Sequence, residues 1–127
     1  MKKFSFSYRE KLHLQKDFNK VFKNGRKLDN KTIKIIAYKR PVITGDDGVA
    51  DASPLRRLGL VTPKKVGTAV ARNRTKRLLR EIFRTNKHSL EPGLDIIFIS
   101  KPETASQNYN SLKTVVLEML KSAGFYK

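Results

Sequence analysis

The sequence predicts an α+β protein, a single two-layer α/β sandwich in which about three helices pack on a small mixed sheet. Short β-rich runs alternate along the chain with longer stretches whose apolar residues recur at helical spacing. The predicted order is αβ(ββ)αβα, in which three of the four strands are located by their residues, and such an order is typical of helices packed on a sheet. The chain has 127 residues, so we expect one domain over 1–127, because a second would have too little core of its own.

The first predicted helix covers 17–24. Phe18, Val21 and Phe22 fall at i, i+3 and i+4 and therefore share one helix face. Gly25 suits the end of this helix, because glycine tolerates the left-handed backbone conformation that often terminates helices. The helix presents two aromatic rings one turn apart.

Three strands are predicted at 32–39, 57–62 and 95–100. The first alternates core-facing apolar residues with a mixed outer face that includes Ile36 and Tyr38. The second is bounded by prolines, which interrupt strands. The third is almost entirely apolar, and such a run is typical of a central strand covered on both faces.

Two longer amphipathic helices are predicted at 69–87 and 110–123. On the first, apolar residues gather on one arc and Lys and Arg residues on another, at about 100° per residue. The predicted core residues of that helix are Ala71, Thr75, Leu78, Leu79, Ile82 and Phe83. We expect the apolar arc to pack on the sheet and the basic arc to face outward.

The strongest global feature is charge: 28 Lys and Arg residues against 11 Asp and Glu residues give a formal net charge of +17. Such a charge favours a polyanionic partner, because self-repulsion destabilises the compact chain otherwise. Nucleic acid fits better than a membrane, since no window approaches the roughly 20 apolar residues of a spanning helix. The absence of cysteine fits a cytoplasmic protein. Residues 41–55 carry three Asp and no base, which predicts an acidic flexible loop.

The positive charge is concentrated in 64–84, where eight Lys and Arg residues accompany a single acid, Glu81. A solvated helix face usually mixes signs, since like charges at i,i+4 destabilise a helix. Arginine predominates, and its planar fork binds phosphate oxygens bidentately. The candidate phosphate-binding residues are Lys64, Lys65, Arg72, Asn73, Arg74, Lys76, Arg77 and Arg80.

Phe18 and Phe22 allow two interpretations. They are either ordinary core residues or a platform on which unpaired bases stack. The lysines interleaved with them, including Lys16, favour the platform. Tyr38 joins that platform if its strand alternates as predicted. Lys16, Phe18 and Phe22 are therefore the candidates for a second nucleic-acid-binding site.

No catalytic residue and no metal site are predicted. The sequence has two isolated histidines, no cysteine and no recognisable nucleophile motif. Asp46, Asp47 and Asp51 form its main acidic group and fit a flexible turn better than a metal site. The sequence therefore favours a binding protein over an enzyme that acts alone.

Four segments together resemble the protein subunit of bacterial ribonuclease P. KKVGTAVARNRTKRLLREIF at 64–83 resembles the family signature, which is built around the Arg-Asn-Arg at 72–74. LQKDFNKVFKNGR at 14–26 resembles the family's first helix. LGLVTPKK at 58–65 and GLDIIFISKP at 93–102 resemble the strands before and after the signature. The long signature combined with the matching first helix makes the resemblance specific.

The resemblance implies a subunit of a ribonucleoprotein endonuclease whose catalyst is RNA. That RNA removes the 5′ leader of precursor tRNA by Mg²⁺-assisted hydrolysis, with Mg²⁺ held mainly by the RNA subunit and the substrate. The protein is implied to bind both RNAs and to assist productive metal binding, with neither DNA nor a membrane as partner. The basic residues from Arg72 to Arg80 would face the RNA subunit, and Phe18 and Phe22 would line the leader cleft.

The resemblance further implies a left-handed βαβ crossover through the Arg-Asn-Arg helix, an exception to the right-handed rule. Three features depart from the family pattern. The 41–55 loop is long and acidic, and Pro63 stands where the family more often has Ser, Thr or another small residue. Ile36 lies nearer than Tyr38 to the register of the family's cleft tyrosine. The alternative from another class is a structural RNA-binding protein of ribosomal type with no part in cleavage. It shares the charge and size but would not require the aromatic pair together with the signature.

Overall fold

The computed structural model describes residues 10–12, 14–41 and 55–126. Its helices and strands, in chain order, are α1 (Gln15–Asn24), β1 (Arg26–Asp29), β2 (Ile33–Lys39), β3 (Arg57–Val61), α2 (Ala69–Asn86), β4 (Leu94–Ser100), α3 (Pro102–Ala105) and α4 (Tyr109–Ser122). The predicted α+β class and the αβ(ββ)αβα succession are confirmed, with α3 as a short addition. Residues 42–54 of the predicted acidic loop lie outside the described residues.

The described strands form one mixed sheet in the order β1-β2-β4-β3. β2 pairs antiparallel with both β1 and β4, whereas β3 pairs parallel with β4. The central position of β4 is the one that its continuous apolar sequence predicts. The parallel pair is joined through α2, as the predicted crossover requires, and the left hand of that crossover stays a prediction from the resemblance. The predicted order includes a strand at the position of β1, but its residues were not located from the sequence, because RKLD contains a single apolar residue, Leu28.

The larger hydrophobic core lies between one face of the sheet and the helices α2 and α4. Ile33, Ile35 and Ala37 of β2 point into it, as the alternation predicts. The helices contribute Leu79, Ile82, Phe83, Leu112, Val116 and Leu120. Because this stripe of α2 is buried, the Lys and Arg residues on its other side are turned away from the core.

The opposite face of the sheet is covered by α1, so helices lie against both faces. Val21 is fully buried there and packs in a smaller cluster with Ile36 and Ile97. On this face the strand register forms three rows of side chains: Tyr38–Asp95–Arg57, Ile36–Ile97–Gly59 and Lys34–Ile99–Val61. The predicted outer face of β2 is therefore a second core rather than a solvent face.

Gly25 ends α1, but not for the predicted reason. Its backbone is extended, with φ −73° and ψ 155°, so the expected left-handed conformation is wrong. A Cβ at this position would lie 2.5 Å from the carbonyl oxygen of Val21 and 2.7 Å from Cγ2 of Ile36. Glycine is needed because the chain passes too close to α1 and β2 for any side chain.

Candidate nucleic-acid interface

The basic side of α2 is set by how the helix begins and by what it buries. Thr68 caps the helix, since its hydroxyl accepts a hydrogen bond from the Ala71 N–H at 3.1 Å. Thr75 and Leu79 are fully buried. Of the predicted phosphate-binding residues, Lys64, Lys65, Asn73, Arg74, Arg77 and Arg80 are exposed, and Arg72 and Lys76 are half-buried. The sequence prediction of an outward basic side is therefore confirmed in its geometry.

The two arginines of the Arg-Asn-Arg segment are held by backbone carbonyls on opposite flanks of α2. Arg72 donates from Nη1 to the carbonyl of Gly67 at 2.8 Å. Arg74 donates from Nη1 to Ala105 and from Nη2 to Gln107, both at 3.1 Å. Arg74 therefore ties α2 to the connection between α3 and α4, in addition to any role toward RNA.

Glu81 compensates one cation of the basic side. The guanidinium of Arg84 donates to both carboxylate oxygens of Glu81, at 2.9 and 2.5 Å. These hydrogen bonds lower the pKa of Glu81 and raise the pKa of Arg84. Within the described residues, Arg77 and Arg80 form no ion pair. The uncompensated charge of α2 is therefore concentrated on the turns before Arg84.

The side chains of Phe18 and Phe22 are neither fully buried nor fully exposed. Their rings stack with centroids 6.4 Å apart and planes inclined by 28°. Both are half-buried and pack on the smaller cluster, beside Val61 and Ile99 at the sheet surface. A Cβ on Gly59 would lie 2.8 Å from Cε1 and Cζ of Phe18. One edge of the aromatic pair is thus fixed on the sheet, and the rest of it remains accessible.

Lys16 does not join this aromatic side. It is exposed, and it precedes Phe18 by two residues, which places it about 200° away around the helix axis. It therefore lies on the flank of α1 that carries Lys20.

The basic helix and the aromatic pair meet at β3. Arg80 and Phe18 line one cavity of about 210 Å³ together with Leu12, Gly59 and Leu60. The N-terminal segment reaches the same place, since Leu12 donates its N–H to the carbonyl of Leu58 at 2.9 Å. The two candidate surfaces are therefore continuous around the outer side of β3, although α1 and α2 cover opposite faces of the sheet.

A charged network that sequence analysis did not identify lies on the other flank of α1. Asp95, which is almost fully buried, accepts two hydrogen bonds of 2.8 Å from Arg57 and one of 2.5 Å from Arg40. Arg57 also reaches Asp17 at 3.5 Å. Tyr38 lines the same region, so α1 separates it from the Phe18 side. The sequence did contain a signal for this network, since Asp95 is a lone acid at the beginning of an otherwise apolar strand. A charge buried in such a strand needs a partner of opposite sign.

The described carboxylates do not fit a metal ion. No group of three metal-ligating side chains occurs within the described residues. Several acids are instead paired with cations, as in Asp95 with Arg57 and Glu81 with Arg84. Lys101 donates to Asp29 at 2.5 Å, and this hydrogen bond lowers the pKa of that carboxyl. A carboxylate already neutralised by Lys or Arg is a poor ligand for a divalent cation.

An α+β fold with one strongly cationic helix and a half-open aromatic pair defines a small RNA-binding protein. The family model described as Ribonuclease P matches residues 6–124 of this chain. The ribonuclease P protein component of Thermotoga maritima is 34% identical over 121 residues, which cover 92% of this chain and 94% of that protein. The corresponding protein of Clostridium botulinum (strain Langeland) is 29% identical over 91% of this chain and 96% of its own.

Solved structures match in the same way. The RNase P protein from Thermotoga maritima superposes with a TM-score of 0.71 at 31% identity, covering 90% of this chain and 97% of that one. The Staphylococcus aureus RNase P protein gives a TM-score of 0.72 at 24% identity, over 93% of this chain and 98% of that one, and supports the fold. The chain belongs to the bacterial ribonuclease P protein family. It is a subunit of the ribonucleoprotein endoribonuclease that processes tRNA.

No helix among the described residues has both the length and the apolar character needed to span a bilayer.

Proposed function

We propose that this protein holds the ribonuclease P RNA on the basic side of α2 and the 5′ leader of precursor tRNA on the aromatic side of α1. The observation that carries the proposal is the cavity beside β3, where Arg80 of α2 and Phe18 of α1 lie together. A single-stranded leader that stacks on Phe18 is thereby brought next to the surface that binds the RNA subunit. The protein acts as a clamp between the two RNAs.

The RNA subunit is bound through its phosphates. Arg77 and Arg80 are exposed and form no ion pair within the described residues, and guanidinium groups of this kind bind phosphate oxygens bidentately. Lys64 and Lys65 extend the cationic surface before α2, where both are exposed. Arg72, Asn73, Arg74 and Lys76 complete the proposed contact. Binding of this kind is dominated by counterion release and so depends steeply on salt.

The leader is bound by stacking and by charge. Phe18 and Phe22 offer accessible ring surface at fixed positions, and base–aromatic stacking contributes about 1–3 kcal/mol per base. Val61 and Ile99 are partly buried and pack on the same apolar cluster as the two rings. Lys16 adds a cation at the beginning of α1 without touching the rings.

Hydrolysis is assigned to the RNA subunit, with Mg²⁺ held mainly by that RNA and by the substrate. The carboxylates of Asp29 and Asp95 support this assignment, because Lys and Arg partners occupy them. The contribution of the protein to metal binding is electrostatic. Its cations reduce the repulsion between two RNA backbones, so that less Mg²⁺ is needed for the productive complex. We place the protein in the cytoplasm, with neither DNA nor a membrane as partner.

Cleavage of a precursor tRNA with a 5′ leader, at low Mg²⁺, tests the proposal. The three reactions contain a bacterial ribonuclease P RNA alone, this protein alone, and both together. We expect cleavage at the mature 5′ end only with both components. Unchanged activity of the RNA on addition of the protein would contradict the clamp, and cleavage by the protein alone would contradict the assignment of catalysis to RNA.

A further inference from the structure

A second cavity, of about 170 Å³, lies on the flank of α1 opposite the aromatic pair, where β2 ends and β3 and β4 begin. It is lined by Asp17, Lys20, Tyr38, Arg40, Arg57 and Asp95. At about 100° per residue around the axis of α1, Asp17 and Lys20 fall on one side of the helix, and Phe18 and Phe22 fall on the other. The cavity is therefore separate from the proposed leader cleft and not used by it.

The cavity wall is cationic and rigid. Three cations, Lys20, Arg40 and Arg57, line it against two carboxylates, Asp17 and Asp95, which leaves one net positive charge. Asp95 holds Arg57 through two hydrogen bonds of 2.8 Å and Arg40 through one of 2.5 Å, so both guanidinium groups are fixed in place. Lys20, in contrast, is exposed at the mouth. A site with fixed guanidinium groups inside and an exposed ammonium outside suits a ligand that is polar within and anionic at its exit.

The size of the cavity decides the class of ligand. A cavity of about 150 Å³ accommodates a benzene-sized ring, whereas pockets for drug-sized ligands measure about 300–1,000 Å³. At about 170 Å³ this one is close to the size that suits a single six-membered ring, which favours a pyrimidine base over a purine. Tyr38 supplies an aromatic wall on which such a ring stacks. The guanidinium of Arg57, which its carboxylate partners hold in place, lines the same cavity and offers a second planar surface for such a ring.

We propose that this cavity binds one unpaired pyrimidine nucleotide. Its base lies against Tyr38 and the guanidinium of Arg57, and its phosphate lies at Lys20. The nucleotide comes either from the ribonuclease P RNA or from the leader of the substrate. The identity of the RNA that supplies the nucleotide rests on the proposed function, whereas the existence of the site does not.

Competition with short oligouridylate and oligoadenylate of equal length tests the class of base on the free protein. Oligouridylate is expected to bind more tightly to the wild-type protein. Tyr38→Leu, which keeps the apolar volume but removes the ring, is expected to lower oligouridylate affinity about tenfold. Tyr38→Phe, which keeps the ring, should retain it. Equal affinities of the two oligonucleotides, or no loss in Tyr38→Leu, overturn the proposal.

Lys20→Ala and Lys23→Ala form a matched pair for the phosphate contact. Both remove one exposed lysine from α1, but only Lys20 lines the cavity. Oligouridylate affinity should fall several-fold in Lys20→Ala and much less in Lys23→Ala. Because both positions are exposed, these variants remain informative if Tyr38→Leu does not fold. Equal losses in the two variants count against the site.

Two affinities identify which RNA supplies the nucleotide: that of the protein for the RNA subunit, and that of the holoenzyme for precursor tRNA. A loss in Tyr38→Leu of affinity between the protein and the RNA subunit, measured without substrate, assigns the nucleotide to that RNA. A loss confined to precursor tRNA, with leaderless tRNA unaffected, assigns it to the leader. No loss in either affinity overturns the inference. Failure of the wild-type protein to bind the RNA subunit would instead refute the proposed function.

Discussion

The ring of Phe18 rests directly on Gly59, so closely that a Cβ on Gly59 would lie 2.8 Å from two ring carbons. This contact positions the first ring of the aromatic pair. It also explains why the strand before the basic helix has glycine at this point, where β3 would otherwise favour a side chain.

Gly59→Ala should therefore destabilise the fold and displace Phe18. Neighbours this close must move, and overpacking of this kind costs about 1–3 kcal/mol. Urea unfolding measures the loss of stability. The matched control is Gly59→Ala in a Phe18→Leu background, where the ring is absent and the added methyl group should cost much less. An equal cost in both backgrounds would mean that the ring is not the obstacle.

Arg80 and Arg84 should differ in their contribution to RNA binding, although they lie one turn apart. Arg80 forms no ion pair within the described residues, whereas Arg84 is held by both carboxylate oxygens of Glu81. Arg80→Ala should lower the slope of log affinity against log salt for the RNA subunit by about 0.7–0.9. Arg84→Ala should change that slope much less, and Glu81→Gln should strengthen binding by releasing Arg84. Equal slopes for the two alanine variants would refute this distinction.

Arg74 should contribute to stability as well as to RNA binding. Its two hydrogen bonds to Ala105 and Gln107 need a fork that lysine lacks. Arg74→Lys should lower the free energy of unfolding by about 1–2 kcal/mol. The control is Arg77→Lys, at an exposed position on the same helix, where we expect a change within about 0.5 kcal/mol. If Arg74→Lys and Arg77→Lys lower the free energy of unfolding equally, Arg74 does not stabilise the contact between α2 and the α3–α4 connection.

Lys87 and Glu10 form a buried ion pair at 2.5 Å, and their side chains are 8% and 7% exposed. Lys87→Met should leave Glu10 buried without this partner and cost about 3–5 kcal/mol in urea unfolding. Lys39→Met removes the exposed pair with Glu91, at 3.7 Å, and should cost at most about 1 kcal/mol. Adding Glu10→Gln to Lys87→Met should restore much of the loss. No restoration would show that the stem of Lys87, rather than its charge, matters.

Periodicity predicted the elements that bury a regular apolar pattern. The limits predicted for the basic helix, 69–87, differ from those observed by a single residue, and its buried stripe matches at Thr75, Leu79, Ile82 and Phe83. The residues of β1 could not be located from the sequence, because the strand is stabilised by its backbone hydrogen bonds to β2. Backbone pairing of this kind does not produce a periodic pattern of apolar side chains.

The sequence predicted which residues belong to the candidate site, but not how the fold arranges them in space. The signature segment identified the basic residues, whereas the network of Asp95 with Arg40 and Arg57 joins three positions far apart in the chain. Tyr38 shows the same limit. Strand alternation correctly predicted its face of the sheet, but only the path of α1 across that face separates it from Phe18 and Phe22.

The division of labour between the two sides of the molecule is the central claim, and two affinities measured on two variants test it most directly. Arg77→Ala should weaken binding of the protein to the RNA subunit and leave unchanged the ratio of holoenzyme affinities for precursor tRNA and leaderless tRNA. Phe22→Ala should lower that ratio and leave binding to the RNA subunit unchanged. If both variants affect the same affinity, or if neither affects its own, the assignment of RNA to α2 and leader to α1 is contradicted.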